Sequence, residues 1–396
     1  MRRKKLAAIM VGLLSFMLIL AGCSFGGNSE SKFLNKKNGK TETTSLIPAT
    51  SNKDYQSLKP QANDPIRGYI NYGVNNRVDV DQLETGLMNL SKSVYSPDNY
   101  VFQGGQYVST DEIDHMLYRK GQEQNDTGSF KGIPGLNPPL GKGKTVVQRA
   151  ENNPKYLNYV LEQDYLRKSN GGKYVLGGVS VAISLNSVYS DRIMDKNKNI
   201  NPVEVTLNKA KVRAWGKSVA PKILQRLRQT KGLEQVPILL TLYMTSAPSS
   251  LIPGDYFART EVAAGSSSIG GWKTVDDHHV LFPSNTASSN YKSDLEKFNL
   301  FKDDVQKYFP NFVGVVGKGY YHNGNLSDLS VDVNIQFMDE TEVTNFANYV
   351  GSIVNNRFGF SRDIPVHIYV ASNDVQEALI ERTASMNNAY VSVYQH

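Results

Sequence analysis

Pro237-Ile238-Leu239-Leu240-Thr241-Leu242-Tyr243 is a short, almost wholly apolar run opened by a proline, and it reads as a strand. Before it lies a long helix whose apolar stripe is Val212, Trp215, Val219, Ile223 and Leu227, with a kink expected at Pro221. Before that helix is a strand from Tyr174 to Tyr189, with Val179, Val181, Ile183 and Leu185 on one side. A helix carrying Tyr156, Leu157, Val160, Leu161 and Tyr165 is expected to lead into it. The order then returns about 150 residues later, the kind of internal period that marks a repeated unit. A helix over Leu295 to Tyr308 is followed by the strand Leu329-Ser330-Val331-Asp332-Val333-Asn334-Ile335-Gln336-Phe337. A helix with Val343, Phe346, Val350 and Val354 then precedes a last strand, Val366-His367-Ile368-Tyr369-Val370. Strand–helix–strand met twice implies an α+β fold of mixed sheets with helices, its duplicated halves (residues 146–250 and 251–396) building one mixed sheet or two packed ones.

Upstream, residues 61–145 read as a small α+β domain in which order begins near Ile66. Arg67-Gly68-Tyr69-Ile70-Asn71-Tyr72 has the look of a strand. Asp79 with Gln82 approximates a capping box ahead of the stripe Leu83, Leu87, Leu90 and Val94. Gly104-Gly105 sits between Tyr100-Val101-Phe102-Gln103 and Gln106-Tyr107-Val108, which predicts a hairpin. Ser109-Thr110-Asp111-Glu112 is a second capping box, opening a short helix with Ile113, Met116 and Leu117 inward. Gly121 to Lys144 is punctuated by Gly132-Ile133-Pro134-Gly135-Leu136-Asn137-Pro138-Pro139-Leu140-Gly141 and reads as a long loop, a feature that is either functional or a wrap around the domain.

The first twenty-three residues have a different character. Arg2, Arg3, Lys4 and Lys5 form a basic head, the stretch from Leu6 to Gly22 carries no charge, and Leu20-Ala21-Gly22-Cys23 follows. A positive head, a short apolar core and small residues before a cut site describe an export signal (residues 1–22) rather than a spanning helix, which needs about 20 apolar residues. Cys23 is the only cysteine, so no intramolecular disulfide can use it. Leu-Ala-Gly-Cys resembles the bacterial lipobox, in which cleavage falls between Gly22 and Cys23 and the sulfur receives a diacylglyceryl group. Each buried methylene of such chains adds about 0.8 kcal/mol, and more than one chain makes retention at a bilayer stable. An incidental cysteine behind an ordinary signal is the plainer alternative. Residues 23–60, with Asn35-Lys36-Lys37-Asn38-Gly39-Lys40, are polar and aperiodic, and read as a disordered tether behind that anchor.

At 396 residues and 40% apolar content the chain has room for real cores. The formal charge of +7 shrinks to 7 − 4 = +3 once the four signal cations are removed, too little to imply nucleic acid. The 22 tyrosines against two tryptophans read as occupants of half-buried strand positions.

Chemistry-bearing motifs are sparse. Asp276-Asp277-His278-His279 is the sharpest metal-like cluster. Neighbours on a strand point to opposite faces, so at most two of the four could meet one ion. Gly143-Lys144-Thr145 mimics the end of a phosphate loop, but Pro138 stands where its glycine belongs. Gly265-Ser266-Ser267-Ser268-Ile269-Gly270 has Ile269 where a nucleophile elbow needs glycine. His367 alternates with Val366 and Ile368 and is expected in solvent or a polar seam. No nucleophile, base and orienter assemble, and no cofactor is implied.

The lipobox at Cys23, the loop Gly135-Leu136-Asn137-Pro138-Pro139-Leu140-Gly141, the run Tyr156-Leu157-Asn158-Tyr159-Val160-Leu161-Glu162-Gln163-Asp164-Tyr165, and the Gly68-Tyr69 and Ser109-Thr110-Asp111-Glu112 segments resemble the CamS sex-pheromone-precursor lipoproteins of low-GC Gram-positive bacteria. The likeness runs from about Cys23 to the end of the chain, through motifs that are long rather than catalytic. It implies that the cleaved signal, not the folded part, carries the family's named function: its apolar end is released as a peptide that induces plasmid conjugation in a sensing recipient. The matching segment is Phe16-Met17-Leu18-Ile19-Leu20-Ala21-Gly22, which keeps an aromatic, an Ile-Leu-Ala core and a small terminus. Met17 and Leu18 depart from the family peptide's leading residues, and Gly22 replaces a terminal Ser or Ala. The expectation is a protein lipid-anchored on the extracytoplasmic face of the cell membrane. Its partners would be membrane lipid (the diacylglyceryl on Cys23), lipoprotein-processing enzymes and a pheromone-sensing recipient, and its mature domain a non-enzymatic binding or envelope module. The competing expectation is an extracytoplasmic hydrolase or metal-dependent enzyme acting on cell-wall material, centred on Asp276, Asp277, His278 and His279.

Overall fold

The computed structural model describes residues 33–37, 40–44, 46–47, 51, 53–58, 76–121, 132–195, 197–308, 314–336 and 338–396. The signal, Cys23 and the strand expected at Arg67 to Tyr72 lie outside the described residues. In chain order, β1 (Phe33–Lys37) and β2 (Lys40–Thr44) form a ribbon, followed by β3 (Leu46–Ile47), β4 (Ser57–Leu58), α1 (Val80–Ser91), β5 (Val101–Gly104), α2 (Thr110–Leu117), α3 (Val146–Asn152), β6 (Leu157–Lys168) and β7 (Tyr174–Leu185). A second ribbon, β8 (Val188–Met194) with β9 (Ile200–Thr206), leads to α4 (Lys209–Gln229), β10 (Ile238–Met244), β11 (Asp255–Val262) and β12 (Lys273–Thr274). The chain continues through β13 (Asp277–Phe282), α5 (Asn285–Asn290), α6 (Lys292–Gln306), β14 (Gly314–His322), β15 (Asn325–Ile335), α7 (Glu340–Asn356), β16 (Val366–Ser372), β17 (Val375–Arg382) and β18 (Tyr390–Val393).

Two mixed sheets result, an eight-stranded one ordered β12-β11-β10-β7-β6-β5-β4-β3 and a six-stranded one ordered β13-β14-β15-β16-β17-β18. The predicted repetition is present in both. β7 pairs in parallel with β10 across α4, and β15 pairs in parallel with β16 across α7, while the flanking pairs β6/β7, β10/β11, β14/β15 and β16/β17 are antiparallel. A parallel pair needs a crossover long enough to hold a helix, so each helix stripe read in the sequence fixes one parallel joint.

The expected helix over Tyr156 to Tyr165 is instead strand β6. Its first ten residues are all buried, with no alternation between faces. Helices cover both sides of the large sheet. On one, the Ser91 hydroxyl of α1 meets that of Ser180 on β7 at 2.7 Å. On the other, Gly216 of α4 presses onto Leu185 and Leu242, where a Cβ would collide with the Leu185 side chain. A strand buried on both faces loses its period of two, and Leu157, Leu161 and Tyr165 fall four apart by coincidence. The predicted Gly104-Gly105 hairpin is also absent: β5 ends at Gly104 and pairs with β4 and β6 rather than with Gln106 to Val108. Tyr174 to Tyr189 is split between β7 and β8.

Sheet two is covered on one side. Burial alternates along β14, β15 and β16, and the covered face packs Val331, Val333, Ile368 and Val370 against Phe298, Phe301, Phe346 and Val350 of α6 and α7. The other face is polar. There His367 sits between Asp328 at 3.3 Å and Glu381 at 3.6 Å, in the expected polar seam. The hydrogen bond to Asp328 raises its pKa above the ordinary histidine value. A raised folded-state pKa means the proton is held more tightly by the native chain, so the contribution is full at acid pH and disappears as pH rises through the shifted value. His367→Gln is expected to lower stability by less than about 1 kcal/mol at pH 5, since the pair is partly solvated, and by nothing at pH 9. Paired urea melts at the two pH values measure the difference.

Tyrosine goes deeper than its expected half-buried role. Tyr95, Tyr159, Tyr165, Tyr189, Tyr243, Tyr256 and Tyr321 are all essentially inaccessible. Buried hydroxyls must find acceptors: that of Tyr95 donates to the Val179 and Pro237 carbonyls at 3.1 and 3.0 Å, and its ring stacks on Tyr165 at 4.8 Å.

Candidate functional site

The described part of the long loop, from Gly132 on, is held by main-chain bonds to Met116, Tyr118 and Lys120 and by one buried side chain. Asn137 is fully buried, its Nδ2 donates to the Leu117 and Leu157 carbonyls, and its Oδ1 accepts from the Tyr156 and Leu157 amides, all at 2.8–3.1 Å. Its backbone bridges Arg119 in parallel. Glycine is required two residues earlier, because a Cβ at Gly135 would strike the Tyr118 carbonyl. The loop carbonyls then turn to use: Pro138 and Asn153 accept from the Arg119 guanidinium at 3.1 and 2.6 Å, and Pro139 accepts from the Asn153 amide at 2.8 Å.

That guanidinium forms one wall of a cavity of about 520 Å³. Its Nη2 donates to the Tyr189 hydroxyl at 3.1 Å, and that hydroxyl donates to Asp191 Oδ2 at 2.8 Å. The other Asp191 oxygen accepts the Arg192 amide at 2.8 Å. Burial, the larger effect, and the Asp191 carboxylate push the Tyr189 phenol up, while Arg119 opposes them, leaving it at about 12. Lys155 lies in the same wall, and burial lowers its pKa despite the attraction of Asp191. Among the described residues no hydrogen bond or ion pair engages its Nζ. With Lys120 and Arg192 the lining, counted over the described residues, carries four cations against the one carboxylate of Asp191, a balance of 4 − 1 = +3. Leu140, Val146, Ile193 and Met194 supply an apolar side. The arrangement can hold an anion with an apolar part; it offers no nucleophile beside a base.

The four residues singled out as metal-like are dispersed. Asp277 accepts from His322 Nδ1 at 2.6 Å, and His279 Nδ1 meets Asp255 Oδ1 of β11 at 2.7 Å, which ties one sheet to the other. His278 stacks on Tyr321 at 5.4 Å, bonds to the Tyr291 hydroxyl and lies 3.6 Å from Asp276. Each side chain has its own partner, and among the described residues no group of three or more His, Cys, Asp or Glu converges on a metal position. Tyr291 and Tyr321 border a second cavity of about 460 Å³, beside sheet two rather than between the sheets. Its Asp294 already accepts from Tyr321 at 2.7 Å and Lys297 at 3.0 Å. Asp79, read as a helix cap, makes no cap bond; it pairs with Arg77 at 2.5 Å and accepts from Gly254 at 2.9 Å. Ser109 does cap, accepting from Glu112 at 3.2 Å, but the Glu112 carboxylate turns to Thr230. Arg119, Lys155 and Arg192 had no motif to mark them in the sequence; the proline-rich loop beside them was the available signal.

The chain is thus a mixed-sheet α+β protein, with no group of three or more metal-type side chains among the described residues. The model of the CamS sex pheromone cAM373 precursor family matches residues 62–388, and the chain belongs to that family. The crystal structure of a sex pheromone precursor from Lactobacillus salivarius subsp. salivarius UCC118 is similar, with a TM-score of 0.74 and 26% identity over 89% of this chain and 99% of that one. The C-terminal domain of the sex pheromone staph-cAM373 precursor from Staphylococcus aureus matches with a TM-score of 0.64 and 27% identity over 80% of this chain and 96% of that one. No curated protein matches the chain by sequence. Among the described residues no helix is long and apolar enough to cross a membrane.

Proposed function

We propose that the chain is the precursor of a short apolar signalling peptide and, once processed, a lipoprotein held at the outer face of the cell membrane by a diacylglyceryl group on Cys23. The family match over residues 62–388 carries this reading, because the relatives it groups are sex pheromone precursors. The sequence supports it independently, with Leu20-Ala21-Gly22-Cys23 placing the chain's only thiol at the cut. Phe16 to Gly22 is the segment that would be shed, and an uncharged peptide of that length can enter and leave a bilayer. A recipient cell that senses the peptide is its partner in this reading. The mature domain then acts as a binding module of the envelope and not as a hydrolase: Asp277 and His279 are committed to His322 and Asp255, and Asp276 pairs only with His278, whereas the Lys155 cavity offers a cation with no hydrogen-bond acceptor among the described residues.

Processing gives the test. Globomycin, which blocks lipoprotein signal peptidase, is expected to leave the full-length chain of 396 residues in the membrane fraction, and Cys23→Ser is expected to abolish acylation. An unchanged mature size under the inhibitor contradicts the processing claim. Donor cells carrying a plasmid responsive to this peptide class, exposed to synthetic Phe16–Gly22, test the signal; no induction at any concentration would remove the pheromone part and leave the anchor.

A further inference from the structure

The ligand class of the binding module is written in the balance of the loop cavity, and the argument rests on the binding reading above. Arg119 spends its guanidinium on the Pro138 and Asn153 carbonyls and the Tyr189 hydroxyl, so it contributes field rather than a free donor. Asp191 has both oxygens engaged, by Tyr189 and by the Arg192 amide. Lys155 is left as a partly buried ammonium with no acceptor among the described residues. A desolvated amine that Asp191 and Asp114 attract but neither hydrogen-bonds is a cost to the fold unless an acceptor fills the position. The lining's surplus of three positive charges matches a phosphate ester, which carries about −1.5 to −2 at neutral pH, better than a single carboxylate. An ammonium is a compact point charge suited to phosphate. The volume of about 520 Å³ is that of a small-molecule site, within the usual range of about 300–1,000 Å³.

We propose that this cavity holds a small phosphate ester, its phosphate against Lys155 and Arg192 and its apolar arm on Leu140, Val146 and Ile193. Two sources share that chemistry, a free phosphate monoester and the monoester headgroup of phosphatidic acid. No bond is made or broken in the binding step.

Isothermal titration of the full-length protein in phosphatidylcholine nanodiscs with n-butyl phosphate tests the proposal. Saturable binding at least fivefold tighter than that of inorganic phosphate is expected, weakened at least tenfold by Lys155→Met, severalfold by Arg192→Gln, and by added salt. Absence of saturable binding overturns the proposal, as does equal affinity for inorganic phosphate or wild-type affinity in both variants. Should Lys155→Met fail to fold by near-ultraviolet circular dichroism, the exposed Arg192→Gln decides alone. Competition by phosphatidic acid vesicles, with none by phosphatidylcholine vesicles, supports the site and assigns the headgroup as source; no competition, with butyl phosphate still bound, supports the site and assigns the free monoester. Release of inorganic phosphate from bound butyl phosphate would keep the site and sink the non-enzymatic reading.

Discussion

Asn137→Ala is expected to destabilise the protein by about 4 kcal/mol, the sum of several buried backbone groups losing their partners at about 1–3 kcal/mol each. An asparagine amide has two donor hydrogens and two acceptor positions, and Asn137 fills all four with main-chain groups of two segments, Leu117 in one and Tyr156-Leu157 in the other. Truncation leaves two carbonyls and two amides facing a small void in a fully buried position. Water entering that void would recover part of the loss, which keeps the figure below the simple total. Asn137→Asp should be nearly as damaging, because a carboxylate keeps both acceptors and turns them on two carbonyls that need donors. Because the same loop holds the Pro138 carbonyl under Arg119, the variant should also loosen the wall of the Lys155 cavity. Urea unfolding followed by tryptophan emission reads the first effect, and a change below about 1 kcal/mol would show that the loop is not held through this side chain.

Glu162→Gln is expected to raise stability by as much as about 3 kcal/mol at pH 8 while changing little at pH 4.5. Glu162 and Asp164 lie two apart on β6 and are almost fully buried, with Asp164 Oδ2 accepting the Gln106 amide at 3.1 Å. Burial is the main cause that pushes the Glu162 carboxyl up to about 7; the amides of Tyr107 and Val108, which donate to Oε2 at 3.1 and 2.9 Å, pull the other way. With the folded-state value above the unfolded one, the native chain holds a proton that the unfolded chain has already lost. Stability therefore falls as pH rises from about 4.5 to about 7 and levels off beyond. Glutamine reproduces the protonated acid: its oxygen accepts the same two amides. The difference between wild-type and variant unfolding free energies, measured from pH 4.5 to 8.5, isolates this group from the histidines. A difference that does not change with pH would mean that Glu162 is ionised throughout.

The sequence carried the parallel joints better than the antiparallel neighbours. The stripes of α4 and α7 each have a solvent side, so Val212 to Leu227 and Val343 to Val354 announce themselves, and each dictates a crossover between parallel strands. β6 could not be read this way. With helices on both sides every position from Leu157 to Leu166 is interior, and the polar members Asn158, Glu162, Gln163 and Asp164 are buried with the rest. Its counterpart β14, Gly314 to His322, passed unnoticed because three glycines interrupt its apolar pattern. Two of those, Gly317 and Gly319, lie where a Cβ would run into Phe298 and Phe282.

The site was legible only as a loop. Its proline-rich motif stood out, but the four cations around the cavity come from three separate segments, at Arg119-Lys120, Lys155 and Arg192, and none has a spacing that a linear reading could weigh. Conversely the conspicuous Asp276-Asp277-His278-His279 run was conspicuous for adjacency alone. On β13 alternate faces separate His278 from Asp277 and His279: Asp277 and His279 go to His322 and Asp255, while His278 goes to Tyr291 and lies beside Asp276, just before the strand.

Everything said of location and signalling depends on the chemistry of one atom, the Cys23 sulfur. Mass spectrometry of the amino-terminal peptide from the membrane-bound protein addresses it without intermediate steps. The account predicts a peptide that starts at Cys23, heavier than its sequence by a thioether-linked diacylglyceryl group, with the upstream residues gone. A peptide that still begins with the basic head, or one that begins at Cys23 with a free thiol on protein recovered from the medium, would contradict it.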